Sequence, residues 1–151
     1  MFIAIRKEPN GTLYIDKEIY SRTQEVQDEQ GNISIQPLFS EETLAQPPYN
    51  YTKVEIDDKY SDCQSSDFND NLSFNVEKYN ARKQKEKDLA RIAEIKPRLE
   101  QLSQDLIQAQ VGAVFEDLEE RKAEFIALHN ELRQLLGMPA REYRNSNLSE
   151  N

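Results

Sequence analysis

Apolar residues in the last third of the chain recur at spacings of three and four. Leu89, Ile92, Ile95, Leu99, Leu102 and Leu106 form one series; Leu118, Phe125, Leu128, Leu132 and Leu135 form a second. Heptad spacing of this kind puts one apolar stripe on each of two helices, and each stripe needs cover. The break around Gly112 is short, so the economical cover for each helix is the other. The pattern predicts an antiparallel helical hairpin over residues 76–137. Asp117 followed by Glu120 predicts a capped start for the second helix, and Gly137 then Pro139 predict its stop. Pro97 interrupts the first helix without shifting its register. A mid-helix proline removes a hydrogen bond and clashes with the preceding turn, at ~3 kcal/mol, so a kink is expected there. Residues 138–151 read as a polar tail, with Arg141 to Asn151 frayed.

The first half of the chain alternates with a shorter period. Residues 2–7 and 12–20 read as strands joined by Glu8-Pro9-Asn10-Gly11, whose last three residues supply hairpin turn chemistry. Val26, then Ile33 and Ile35, flank a second turn at Asp28-Glu29-Gln30-Gly31-Asn32 and predict a further pair of short strands. Ser40 followed by acids caps one helical turn at most before Pro47-Pro48. Tyr51 to Ile56 reads as a strand, and Leu72-Ser73-Phe74 as a last short strand or anchor. Between them, Asp57 to Asn71 reads as a polar linker. The expectation is an α+β chain: a small antiparallel β domain over 1–75, a coiled-coil-like helical hairpin over 76–137, and a tail.

Charge changes the picture of partners. The net charge is −9 over 151 residues. It is concentrated in residues 1–75, which hold 6 basic and 14 acidic residues, against 13 and 14 in residues 76–151. An acidic half is a poor surface for phosphate, so no nucleic-acid partner is expected. The basic run at Lys78, Arg82, Lys83, Lys85 and Lys87 is interspersed with Glu77, Glu86 and Asp88 and reads as a solvated helix face. No apolar stretch approaches the ~18 residues that span a bilayer, and the N-terminal run is too short for a signal peptide. A single cysteine, Cys63, excludes an intramolecular disulfide framework and a Cys-rich zinc site, and fits a reducing cytoplasm or a virion.

No constellation for catalysis emerges. His129 lies on the second heptad helix with neither nucleophile nor orienting group beside it in sequence. Cys63 sits in an acidic loop, where negative neighbours raise a thiol pKa. Asp67, Asn69 and Asn71 copy the first ligand spacings of an EF-hand loop. Leu72 then stands where that loop needs glycine, and Lys78 where it needs a bidentate glutamate. The expectation is therefore a non-enzyme with no cofactor and no metal. The seven Tyr and six Phe lie mainly in the first 80 residues. They exceed what so small a sheet covers, so some are expected at an interface.

The segment Asp70-Asn71-Leu72-Ser73-Phe74-Asn75-Val76-Glu77-Lys78-Tyr79-Asn80-Ala81-Arg82-Lys83, followed by Arg91 to Lys96, resembles small proteins of phage and prophage late regions. Those proteins are encoded near tail and baseplate genes of phages of Gram-positive bacteria, and they join a variable β-rich part to a helical hairpin. Glu119 to Glu124 and Glu131 to Leu136 are similar to the closing helix of that hairpin. The resemblance covers residues 70–137. It implies a tail-assembly or virion setting and carries over no catalytic residue.

The function expected is association with phage tail, baseplate or fibre proteins, and with further copies of the same chain. It would take place in the host cytoplasm during assembly or in the virion. The expected interface residues are Tyr14, Tyr20, Tyr49 and Tyr51 on the β domain. On the hairpin they are Leu99, Leu102, Leu106, Phe125, Leu128 and Leu132. The alternative is an inhibitor of a host defence nuclease, its acidic half imitating nucleic acid.

Overall fold

A computed structural model describes residues 1–143. The chain is α+β: strands β1 (Phe2–Lys7), β2 (Leu13–Asp16), β3 (Thr23–Gln27), β4 (Ile33–Pro37) and β5 (Thr52–Glu55), with helices α1 (Glu41–Ala45), α2 (Val76–Gln110) and α3 (Leu118–Leu135). Contacts divide it into one unit spanning Met1–Lys83 and a second beginning at Gln84. The division falls inside α2, eight residues beyond the expected boundary, because the first turns of α2 bond to the preceding loops. Lys78 Nζ donates to the Phe68 carbonyl at 3.0 Å, and Arg82 and Lys83 pair with Asp67 and Asp62.

In the first unit β1 is the middle strand of an antiparallel sheet ordered β2-β1-β5. Side chains alternate across a strand, so β1 serves two cores. Ile3 and Ile5 meet Ile56, Cys63 and Phe68 on one face. Ala4 meets Ile19, Leu44 and Tyr51 on the other. Helix α1 is the single turn that Ser40 caps, its hydroxyl accepting from Thr43 N at 3.1 Å, and it delivers Leu44 to the second core. β2 is shorter than the expected 12–20. It ends at Asp16, whose carboxylate accepts from the backbone N–H of Glu18 and Ile19, both at 2.9 Å, and turns the chain.

Both hairpin turns form as their sequences predict. Gly11 and Gly31 adopt φ of +85° and +86°. In each turn the glycine N–H donates three residues back, to Glu8 and Asp28. β3 and β4 make a separate two-stranded sheet. The expected linker at 57–71 is a correction: two 3-10 turns, Asp58–Tyr60 and Ser65–Asp67, fold it over the first core, burying Cys63, Asp67 and Phe68. Phe74 then bridges back to Phe68 in antiparallel fashion.

In the second unit α2 and α3 run antiparallel. Arg91 pairs with Glu131 at 2.7 Å and Arg98 with Glu124 at 2.6 Å, so seven residues forward on α2 match seven backward on α3. α2 continues as one helix through Pro97. Ala93, whose carbonyl loses its partner to the proline, is exposed. Both helices end in the same device: a left-handed glycine followed by an N–H that reaches back five residues. Gly112 has φ of +105° with Ala113 N to Gln108 O at 3.0 Å, and Gly137 has φ of +71° with Met138 N to Arg133 O at 2.7 Å.

Asp117 holds the N-cap position of α3, but its side chain makes no cap bond, correcting the expected capping box with Glu120. The carboxylate accepts from Arg121 Nε at 2.8 Å instead, and Arg121 also pairs with Asp105 on α2. The charge-assisted bond to Arg121, four residues on, takes the place of the cap bond, and Arg121 in turn reaches α2.

Burial along the seam is unequal. Ile95, Leu99 and Leu102 of α2 are buried, whereas no residue of α3 is. Leu102→Ala is therefore expected to destabilise the helical unit by about 2–5 kcal/mol, while the exposed Leu89→Ala changes stability by less than about 0.5 kcal/mol. Urea unfolding followed by circular dichroism measures both.

Candidate functional site

Of the four tyrosines expected at an interface, Tyr20, Tyr49 and Tyr51 pack in the second core, and Tyr14 lies against Tyr51. Tyr51 is buried, Tyr20 and Tyr49 are half-buried, and Tyr14 is 46% exposed. Tyr14, Tyr51, Tyr49 and Phe39 form a continuous row with ring centroids 6.3, 6.4 and 5.6 Å apart. The Arg6 guanidinium lies 5.1 Å from the Tyr14 centroid and 5.2 Å from that of Tyr51, and donates to Glu8 at 2.7 Å. Lys53 sits 4.2 Å from the Phe2 centroid and 5.1 Å from that of Tyr20 and pairs with Glu41. The rings thus cover two cations of the same sheet. Of the four tyrosines, Tyr14 keeps the most accessible surface, and Tyr51 has almost none to offer a partner.

The helical candidates divide in the same way. Leu99 and Leu102 are buried within the hairpin, and Leu106, Phe125, Leu128 and Leu132 are half-buried along its seam. On one flank the heptad series Arg91, Arg98 and Asp105 faces Glu131, Glu124 and Arg121 in an ion-pair ladder. These partners hold the Glu124, Glu131 and Asp117 carboxyls below their ordinary pKa. Sequence reading missed where apolar surface stays open. Ile107, Val111 and Val114 lie exposed at the turn of the hairpin, Val111 at 82% and Val114 at 91%. The signal was present as Val111-Gly112-Ala113-Val114-Phe115, an apolar run where loops are ordinarily polar. Ile33 and Ile35 on β4 are likewise exposed, at 66% and 73%.

The residues weighed for chemistry have structural partners. His129 stacks on Phe125 with centroids 5.7 Å apart, and its Nδ1 meets the Tyr143 hydroxyl. Around it Arg141 N donates to Asn130 at 2.9 Å and Arg133 donates to the Pro139 carbonyl at 2.7 Å. Residues 137–143 therefore fold back on α3, where a frayed tail was expected from residue 141; the remainder of that expectation lies outside the described residues. Cys63 is buried in the first core, correcting its reading as a loop thiol. Burial raises its pKa first, with Asp67 and Asp62 adding to the effect.

The EF-hand-like trio forms an internal network. Asn69 accepts from Asn75 at 3.0 Å, and Asn71 Oδ1 accepts from Ser73 N at 3.1 Å and its hydroxyl at 2.6 Å. Asp67, the third member, accepts two bonds from Arg82 Nε at 2.9 and 3.1 Å and one from Nη2 at 2.8 Å, plus one from Gln64 N at 2.8 Å. Among the described residues no group of three or more His, Cys, Asp and Glu is placed to hold a metal ion. No helix among them is long and apolar enough to cross a membrane.

Two substitutions test this network. Asp67→Ala removes the buried acceptor of the Arg82 fork and of Gln64 N, leaving Arg82 its bond to the Asp62 carbonyl, and is expected to lower stability by about 3 kcal/mol in equilibrium unfolding. Asp62 accepts from Lys83 and Tyr79, each at 2.7 Å, and Lys83 followed by Tyr79 lowers its pKa from 3.8 to about 2. A lowered folded-state pKa stabilises the fold in full above about 3.8, and that contribution is lost as pH falls towards about 2. Asp62→Asn is expected to flatten the acid limb of the thermal midpoint-versus-pH curve over that window. No protein-family model, curated protein or solved structure matches the chain.

Proposed function

We propose that the chain works by protein–protein association, as a non-enzymatic structural or assembly protein of the phage tail, baseplate or fibre region. The observation that carries the association is the apolar turn of the helical hairpin. Ile107, Val111 and Val114 expose side chains at a position where solvent-facing loops ordinarily hold polar residues. The ion-pair ladder and the glycine stops keep that turn at the end of two registered helices, so it is presented on regular structure. The phage setting rests on the resemblance of residues 70–137 to late-region proteins, and with it the host cytoplasm or virion as the place of action.

The nucleic-acid mimic has less support. Asp57, Asp58, Asp62 and Asp67 are engaged by Lys59, the N-terminal ammonium, Lys83 and Arg82 of the same chain. Carboxylates held this way are poorly placed to imitate a row of free phosphates.

Mass spectrometry of purified particles and tail-assembly intermediates from the encoding phage tests the reading. The chain is expected in one of them at a fixed ratio to tail components. Val111→Ser combined with Val114→Ser is expected to release it while leaving the circular dichroism spectrum unchanged. Absence from particles and intermediates alike overturns the phage assignment; retention of the double variant overturns the role of the turn.

A further inference from the structure

Among the described residues the β3–β4 hairpin is a two-stranded sheet with no third strand, an arrangement that is marginal in water by itself. Its bonded positions follow from the two backbone bonds that bracket it, Asp28 N to Asn32 O at 2.9 Å and Leu38 N to Arg22 O at 2.8 Å. Antiparallel pairs alternate between bonded and non-bonded, and the register pairs Val26 with Ser34 and Gln24 with Gln36. Those two pairs fall on the same alternate set as the brackets. The backbone N–H and C=O groups of Ile33 and Ile35 consequently point away from β3, to an open edge. Their side chains share one face and are 66% and 73% exposed.

Edge strands are ordinarily protected by charge, above all lysine, by proline, by bulges or by cover; the proline of β4, Pro37, stands at its last position and leaves Ile33 and Ile35 clear. β4 has no such charge. From Gln30 to Ser40 there is no Asp, Glu, Lys or Arg, inside the half of the chain that carries most of the −9. Self-association of so acidic a chain is favoured where charge is locally absent, and this edge supplies such a place.

We propose that β4 pairs antiparallel with β4 of a second copy of this chain, about a two-fold axis at Ser34. In that register Ile33 of each copy faces Ile35 of the other, and each such pair exchanges both of its backbone bonds. The four isoleucines form one apolar cluster on a four-stranded sheet ordered β3-β4-β4-β3. With the axis moved to Ile35, Ile33 instead faces Pro37 of the other copy, which has no N–H to return the bond. Pairing through β3 about Glu25 brings that residue opposite its own copy, and an axis at Gln24 or Val26 leaves the two glutamates diagonal neighbours on adjacent strands, a like-charge contact in each register. Pairing through β4 keeps those two glutamates three strand spacings apart, about 14 Å. That separation exceeds the Debye length of about 8 Å at physiological salt. Charge therefore disfavours β3 and leaves β4 as the pairing edge, and the match of Ile33 with Ile35 about Ser34 makes a second copy of the chain its occupant. The inference stands on the sheet alone, independently of the helical turn and the phage setting.

Light scattering on the purified full chain tests it without any phage component, so the outcome is separate from that of the particle experiment. The wild type is expected to be a dimer whose mass is insensitive to salt, and Ile35→Lys a monomer with an unchanged circular dichroism spectrum. Ser34→Cys places two thiols across the axis at a non-bonded pair, about 4.5 Å apart at Cα, and is expected to give a covalent dimer on mild oxidation. Glu25→Cys, on the outer strand, is expected to give none; the native Cys63 is buried. A wild-type monomer at about 100 μM overturns the proposal. A dimer that persists in Ile35→Lys, or a Ser34→Cys chain that fails to cross-link, overturns it equally.

Discussion

Asp67 is the one buried charged residue among those described, and the first unit is organised around how its charge is held. A carboxylate removed from water is tolerated when it is paired and its lone pairs are filled. Here Arg82 supplies a two-pronged donor and Gln64 a backbone N–H. The first lies on α2 and the second at the head of a 3-10 turn. One residue therefore fastens the beginning of the long helix to the loops that cover Ile3 and Ile5. Hydrophobic burial alone does not hold those loops, because they carry mainly polar side chains.

The second unit solves a different problem with a similar tool. A two-helix hairpin has one seam, and one seam leaves α3 without a fully buried residue. Apolar burial then specifies register weakly, since leucines along a stripe are interchangeable. The ladder of Arg91, Arg98 and Asp105 against Glu131, Glu124 and Arg121 matches only when the two helices run antiparallel in one alignment. Exposed ion pairs contribute little to stability, but mispaired like charges oppose each alternative register. The same logic separates the two edges of the β3–β4 hairpin, where Glu25 disfavours one edge and the uncharged β4 leaves the other open.

Much of the fold was legible because it rests on local chemistry. Gly11, Gly31, Gly112 and Gly137 mark turns and helix ends that only a residue free to adopt positive φ takes easily. Ser40 caps its single turn, and the heptad stripe gives two helices with their stops. What was not legible shares a cause as well. The Asp57 to Asn71 segment is polar in composition, yet its polar side chains bond to one another and to α2, which lets Cys63 and Phe68 reach the core. The pairing of tyrosines with Arg6 and Lys53 is likewise invisible in the order of residues.

The amino-acid sequence by itself determined the α+β division, the positions of the turns, the length and stops of the helical hairpin and its apolar stripe. These follow from backbone conformational preference and from periods of two and 3.6 residues, which act over a few neighbours. Tertiary structure alone decided which carboxylates meet which cations, which tyrosines are covered, and which apolar residues stay exposed. Those outcomes depend on groups brought together across 15 to 40 positions of chain, as Arg82 with Asp67 and Arg91 with Glu131. The exposed residues at β4 and at the helical turn are what that accounting leaves uncovered.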